Sequence, residues 1–156
     1  MPINIRAKIV ITLPITTTNG SAYAAGDNIG GKLTLPYAVR LTGGKGTIST
    51  VVLADLDKQN AEIDVVFFKA DPSGSTLTND AAISITDADI LNAIGSITIS
   101  PAHYIDLGAS ALATQEDLCL DFESNAQDIY AALVSRGTPT YTGTSNLQLS
   151  VTIERD

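Results

Sequence analysis

Apolar and polar residues alternate with a period of two at both ends of the chain. Ile3, Ile5, Ala7, Ile9, Ile11, Leu13 and Ile15 fall on one face, with Asn4, Arg6, Lys8 and Thr12 on the other. Leu147, Leu149, Val151 and Ile153 repeat the pattern against Asn146, Gln148, Ser150 and Thr152. This is the signature of a half-buried strand. Between these ends the pattern predicts strands near Lys32 to Leu35, Thr47 to Ala54, Glu62 to Phe68, Gly95 to Ile99, Asp117 to Phe122 and Asp128 to Val134. Turn residues separate them: Asn19-Gly20, Gly30-Gly31, Gly43-Gly44, Asp71-Pro72-Ser73-Gly74 and Gly137-Thr138-Pro139. One segment breaks the alternation. Thr86, with Asp87 and Asp89 in the first turn and Gly95 as the stop, frames a short helix of about 86–94 that must pack through Ile90, Leu91 and Ile94. The predicted fold class is all-β, an antiparallel β-sandwich or jelly-roll-like barrel with that one short helix.

Composition narrows the chemistry. The 156 residues are 44% hydrophobic and 17% charged, and show no repeat or composition break, so residues 1–156 read as a single β-sandwich domain. A chain of this length can remove about two-thirds of its unfolded surface from water without a disulfide or metal. Nine Lys and Arg against seventeen Asp and Glu give a net charge of -8, the wrong sign for nucleic acid. No basic, apolar leader opens the chain, and the apolar run Ile9 to Leu13 is too short for a membrane span, so no membrane partner is expected. The expected place of synthesis is a cytoplasm.

Candidate catalytic and binding motifs weaken on inspection. Gly26-Asp27-Asn28-Ile29-Gly30-Gly31-Lys32 has the spacing of a phosphate loop, but Leu33 stands where a metal-binding Ser or Thr belongs and a strand follows, so a hairpin turn is expected. Gly108-Ala109-Ser110-Ala111-Leu112 lacks the second Gly of a nucleophile elbow. His103 lies five positions before Gly108, and its neighbours Pro101, Tyr104 and Ile105 suit packing or an interface. Asp55/Asp57 reads as a polar turn and Asp87/Asp89 as a helix start rather than calcium loops. Glu116/Asp117 and Asp121/Glu123 fall on the solvent face of a strand, not across a cleft as a glycosidase pair would. Cys119 reads as a small strand residue, and Asn19-Gly20-Ser21 as a tight turn rather than a glycosylated sequon. No cofactor, no metal and no catalytic residue is expected.

A resemblance adds a functional expectation. Ala25-Gly26-Asp27-Asn28-Ile29-Gly30-Gly31, Val51-Val52-Leu53-Ala54-Asp55, Asp64-Val65-Val66-Phe67-Phe68, Ala70-Asp71-Pro72-Ser73, Asp87-Ala88-Asp89 with Ile94-Gly95, Tyr130-Ala131-Ala132-Leu133-Val134, Gly137-Thr138-Pro139-Thr140-Tyr141 and Leu147-Gln148-Leu149 occur in that order. Together they resemble small virion structural proteins of tailed bacteriophages, over about Tyr23 to Ile153. The resemblance implies a non-enzymatic protein of the capsid exterior, a decoration or cement protein whose partners are the major capsid protein and further copies of itself, a trimer being favoured. A tail or baseplate component, or a receptor- or glycan-binding module, is the alternative; a hydrolase of cell-wall sugar is a third class. The first strand lies outside the matching stretch. Two placements are open for it: pairing in its own sheet beside the C-terminal strand, or, with residues 1–21 as docking strand and hinge, addition to a neighbouring subunit. The interface candidates are Ile3, Ile5, Arg6, Lys8, Ile9, Ile11 and the loop residue Tyr141.

Overall fold

The computed structural model describes residues 6–156. Eleven strands form among them: β1 (Ala7–Ile15), β2 (Asp27–Leu35), β3 (Lys45–Asp55), β4 (Ile63–Phe68), β5 (Ala81–Ala82), β6 (Ala93–Ile99), β7 (Tyr104–Asp106), β8 (Ala111–Gln115), β9 (Leu120–Glu123), β10 (Ile129–Ser135) and β11 (Leu147–Arg155). A single helical turn, α1 (Asp87–Ile90), precedes β6. One sheet runs β1-β11-β3-β8-β7, with β9 also pairing β3; the other runs β5-β2-β10-β4-β6, and every pairing is antiparallel. With the short β5, β7 and β9 set aside, the eight long strands take the sheet order of an antiparallel jelly roll, each passing to the other sheet except from β4 to its partner β6.

The alternation explains the packing. Ile11, Ile15, Ile48, Val51, Leu53, Leu149, Val151 and Ile153 face inward from the first sheet, meeting Ile29, Leu33, Leu35, Ile63, Val65, Phe67, Ile129 and Leu133 of the second. Each such side chain stabilises the fold by about 1.5–3 kcal/mol when fully buried. β1 pairs β11 from Ala7↔Arg155 to Ile15↔Leu147, within its own sheet. The segment after β1, a hinge in one of the two open placements, is tied down. Thr17 is buried, its Oγ1 donating to the Gly143 carbonyl at 2.5 Å, and the Gly20 N–H donates to the Tyr141 carbonyl at 2.7 Å.

Four expectations need correction. Gly30-Gly31 is no hairpin turn: the pair lies inside β2, where the ladder slips from Ala131↔Leu33 to Leu133↔Ile29. Both glycines have positive φ (86° and 75°), and a Cβ on Gly30 would stand 2.5 Å from Ile15 Cγ2, so the bulge needs glycine there. The helix is Asp87–Ile90 rather than about 86–94: Thr86 does cap it, but Gly95 sits in β6. Ile90 and Leu91 are exposed, Leu91 by 81%, and the buried residue is Asp89. The strand expected at Asp117 to Phe122 is Leu120–Glu123, because Asp117 has φ 56° and belongs to a turn, which leaves Cys119 exposed.

The connection between β4 and β6, residues 69–92, forms a strap over the second sheet. It leaves β4, reaches the outer edge of β2, where β5 pairs Asp27↔Ala82 and Asn28↔Ala81, and returns to β6. Asn79 anchors it, its Oδ1 accepting from the Tyr23 hydroxyl and the Gly30 N–H, each at 2.8 Å. Asp89 closes its second half: Ser75 Oγ donates to Asp89 Oδ2 at 2.5 Å, and the Asp89 N–H donates to Thr86 Oγ1 at 3.2 Å. Lys32 pairs with Asp71 at 2.7 Å and stands 5.7 Å from the Tyr130 ring centroid. Phe68, Ala132 and Val134, which point away from the inter-sheet core, are buried on this strapped side.

Candidate interaction surface

Among the described residues the other sheet carries no strap. Its outward residues form rows set by the strand register. Pro14, Gln148, Ala54, Leu112 and Ile105 make the first. Thr12, Ser150, Val52 and Thr114 follow, then Val10, Thr152 and Thr50. None of these carries a charge. Charge enters with exposed Glu116, just past β8 beside Thr50, and with the next row, Lys8, Glu154, Thr47 and Asp121. There Lys8 pairs with Glu154 at 3.2 Å, Arg6 with Asp156 at 3.9 Å and Lys45 with Glu123 at 3.9 Å. Val10 is 61% exposed and Ile105 64%, while Thr12 and Ser150 hydroxyls lie 3.0 Å apart. On a chain of net charge -8, a run of neutral rows is a surface suited to contact with a protein.

The interface candidates divide. Arg6 and Lys8 are exposed at the charged border of this face. Ile9 and Ile11 turn towards the sandwich, Ile11 within its core and Ile9 partly buried against it. Ile3 and Ile5 lie outside the described residues. Tyr141 is not an exposed loop aromatic: its exposure is 0%, and its ring meets Tyr23 edge-on at 6.1 Å between centroids. The cause is a carboxylate clasp. Asp57, after β3, accepts from the Thr142 N–H and Oγ1 at 2.8 Å each and from Asn146 Nδ2 at 2.6 Å, drawing the loop before β11 over the Tyr141 ring. Burial works to raise the Asp57 carboxyl, but the bonds from Asn146 and Thr142 outweigh it and hold the group below the ordinary carboxylate range. Asp55 is buried and shifts the opposite way, burial raising it despite N–H donors from Asn60 at 2.9 Å and Asp57 at 3.1 Å. Burial, followed by the nearby Asp55 charge, also pushes the Tyr141 and Tyr104 hydroxyls well above the usual tyrosine value.

The remaining motifs have structural roles. Asp55 and Asp57 accept hydrogen bonds from donors on the chain itself. Lys32 of the apparent phosphate loop is engaged by Asp71. His103 lies in a 3-10 turn, its Nδ1 accepting from the Ser100 N–H at 2.9 Å. Ser110 sits in the β7–β8 hairpin, where its carbonyl accepts from the Leu107 N–H. Among the described residues, no group of three or more Cys, His, Asp or Glu side chains is placed to hold a metal ion, and no helix is long and apolar enough to cross a membrane.

The architecture is that of an antiparallel β-sandwich with jelly-roll strand order. No protein-family model matches the chain, and no curated protein matches it in sequence. Among solved structures, it is similar to that of tomato aspermy virus, with 11% identity over 96% of this chain and 76% of the other and a TM-score of 0.48. The cleaved adhesin domain of Lys-gingipain from Porphyromonas gingivalis is similar at 14% identity, over 96% and 73% of the two chains, with a TM-score of 0.38. The IBDV viral particle is similar at 9% identity over 96% of this chain, which spans only 31% of the other, with a TM-score of 0.44. These likenesses are too loose to transmit a role.

Proposed function

We propose that the chain is a non-enzymatic structural protein of a bacteriophage virion. It acts as a decoration protein on the outer face of the head, bridging neighbouring subunits of the major capsid protein and stabilising their junctions. The observation that carries this reading is the contrast between a net charge of -8 and the neutral rows of one bare sheet face. Docking through that face sends the acids towards solvent, where they keep particles apart. The ordered resemblance to small phage virion proteins points the same way. Cement function needs area and repeated weak contacts rather than a reactive group. Jelly rolls also occur in lectins and cupins, and fold alone does not choose among them. A cupin-type metal centre is built from histidines, and this chain has one; a glycan platform needs aromatic rings, and none lies in the neutral rows. Arg6 and Lys8 belong to the proposed interface at its rim.

Imaging of the particle that carries this protein tests the assignment. The expected result is density for this fold on the outer head surface in hundreds of copies; a few copies confined to the tail would overturn it. Attachment to purified heads should change little between low and moderate salt, and a steep loss would show docking through ion pairs instead.

A further inference from the structure

Among the described residues five strands have an unpaired edge, and four of them are short or guarded. β5 has two residues, β7 three and β9 four. β6 is longer, but Gln115 Nε2 reaches across from β8 and donates to the Thr98 carbonyl at 2.5 Å, and the Leu120 side chain stands over Gly95. β1, with nine residues, is the fifth. Near its far end it is approached by β2, where Gly30 abuts Ile15; no such guard lies along Lys8 to Thr12 among the described residues.

The backbone direction along β1 follows from its neighbours. The Asn146 carbonyl accepts from the Leu56 N–H at 2.9 Å, and the Asp156 N–H donates to the Lys45 carbonyl at 3.2 Å. Even-numbered residues of β11 therefore turn their backbone groups to β3, leaving its odd-numbered residues for β1. Their register partners on β1 are also odd-numbered, from Ala7↔Arg155 to Ile15↔Leu147. Lys8, Val10, Thr12 and Pro14 thus direct their backbone groups outward. Pro14 agrees with this: without an N–H, it belongs on the free side of an edge strand.

We propose that this edge pairs with β1 of a second copy of the chain, antiparallel about a two-fold axis through Val10. In that register Val10 faces its own counterpart and Lys8 faces Thr12, each pair exchanging two backbone hydrogen bonds. The charges select this register. A shift towards the N-terminus brings the two Lys8 side chains opposite or diagonal to each other. A shift towards the C-terminus sets Pro14 against Lys8 or Val10 and loses a donor. The cations at this border are already matched by Glu154 and Asp156 of their own chain, so the approach of two acidic molecules here carries little local repulsion. The contact closes at two copies, a dimer in place of the trimer that the resemblance implied, and joins two bare faces into one continuous surface. It stands apart from what that surface binds.

Sedimentation of the full chain without particles tests the dimer, and cysteine pairing tests the register. A narrow antiparallel pair places Cα atoms about 5.5 Å apart, within disulfide reach. In a Cys119→Ser chain, Val10→Cys should therefore cross-link rapidly to a covalent dimer under mild oxidation, while Thr12→Cys should not. Val10→Pro removes an outward N–H and leaves the β11 ladder whole; it should weaken association about a hundredfold. Circular dichroism checks that this variant is folded, and the cross-link decides the matter if it is not. A chain that stays monomeric at high concentration, a trimer, or equal cross-linking at positions 10 and 12 would overturn the proposal. A monomer that still binds heads would overturn the dimer and leave the proposed function intact.

Discussion

The outer faces of the two sheets differ in a way that begins in their sequences. Along β11, Leu147, Leu149, Val151 and Ile153 are separated by Gln148, Ser150 and Thr152, so one face is buried and the other is polar. Along β10, Ile129 to Val134 is apolar almost without interruption, and its residues are buried on both sides. A strand with two apolar faces needs a cover on each, and the 69–92 strap supplies the second. A strictly alternating strand needs only the core. That no lid covers the six-stranded sheet among the described residues is thus written into the threonines and serines that face outward there.

The largest test of this contrast is Phe68→Ala, beneath the strap. It should cost about 3–5 kcal/mol in urea unfolding, as removal of a fully buried aromatic does; a cost below about 1 kcal/mol would mean that the strap is not packed on the sheet. Asn79→Ala should cost about 2–3 kcal/mol, because the Gly30 N–H and the Tyr23 hydroxyl both lose their acceptor. On the bare side the Asp57 clasp gives a smaller, pH-dependent effect, with Asp57→Ala costing about 1–2 kcal/mol at neutral pH. Since the folded chain holds the Asp57 carboxyl below its ordinary value of 3.8, its contribution is complete above that pH and is lost as pH falls through the lowered value. Asp55 has the opposite sign: its raised carboxyl is carried at a cost near neutrality, relieved as acid protonates it. Urea midpoints measured against pH should therefore fall below about pH 4 in the natural chain, and the fall should be shallower in Asp57→Ala. The smallest effect is expected for Val52→Thr on the bare face, within about 0.5 kcal/mol. Stability lost there on the scale of Phe68→Ala would make the two faces equivalent.

Much of this architecture is legible in the sequence wherever side chains of contrasting polarity alternate, as in β1, β3 and β11. β8 is hidden because its inward residues, Ala111 and Ala113, are too small to stand out from Leu112 and Thr114. The Gly30-Gly31 pair announces positive φ, but a turn and a bulge need the same angles, and only the ladder tells them apart. Around α1 the cap is visible and the anchor is not: the strap is held through the Asp89 carboxylate rather than through Ile90 and Leu91. Tyr141 misleads for a related reason, since its polar neighbours include the donors that bind Asp57 and close the loop over the ring. The bare face is readable residue by residue, but its continuity depends on registers linking strands more than a hundred positions apart.

The pairing of β1 with β11 also has a cost in time. Ala7 meets Arg155, so β1 cannot find its partner until the intervening chain has been made, roughly 7–30 s later at about 5–20 residues per second. Throughout that interval Ile9, Ile11, Leu13 and Ile15 stand on a strand with two open edges, the kind of segment that nucleates aggregates between nascent chains. Lys8 and Pro14 bracket most of this stretch. Charge and a missing donor at its ends act as gatekeepers during synthesis, before either residue has a place in the finished sheet.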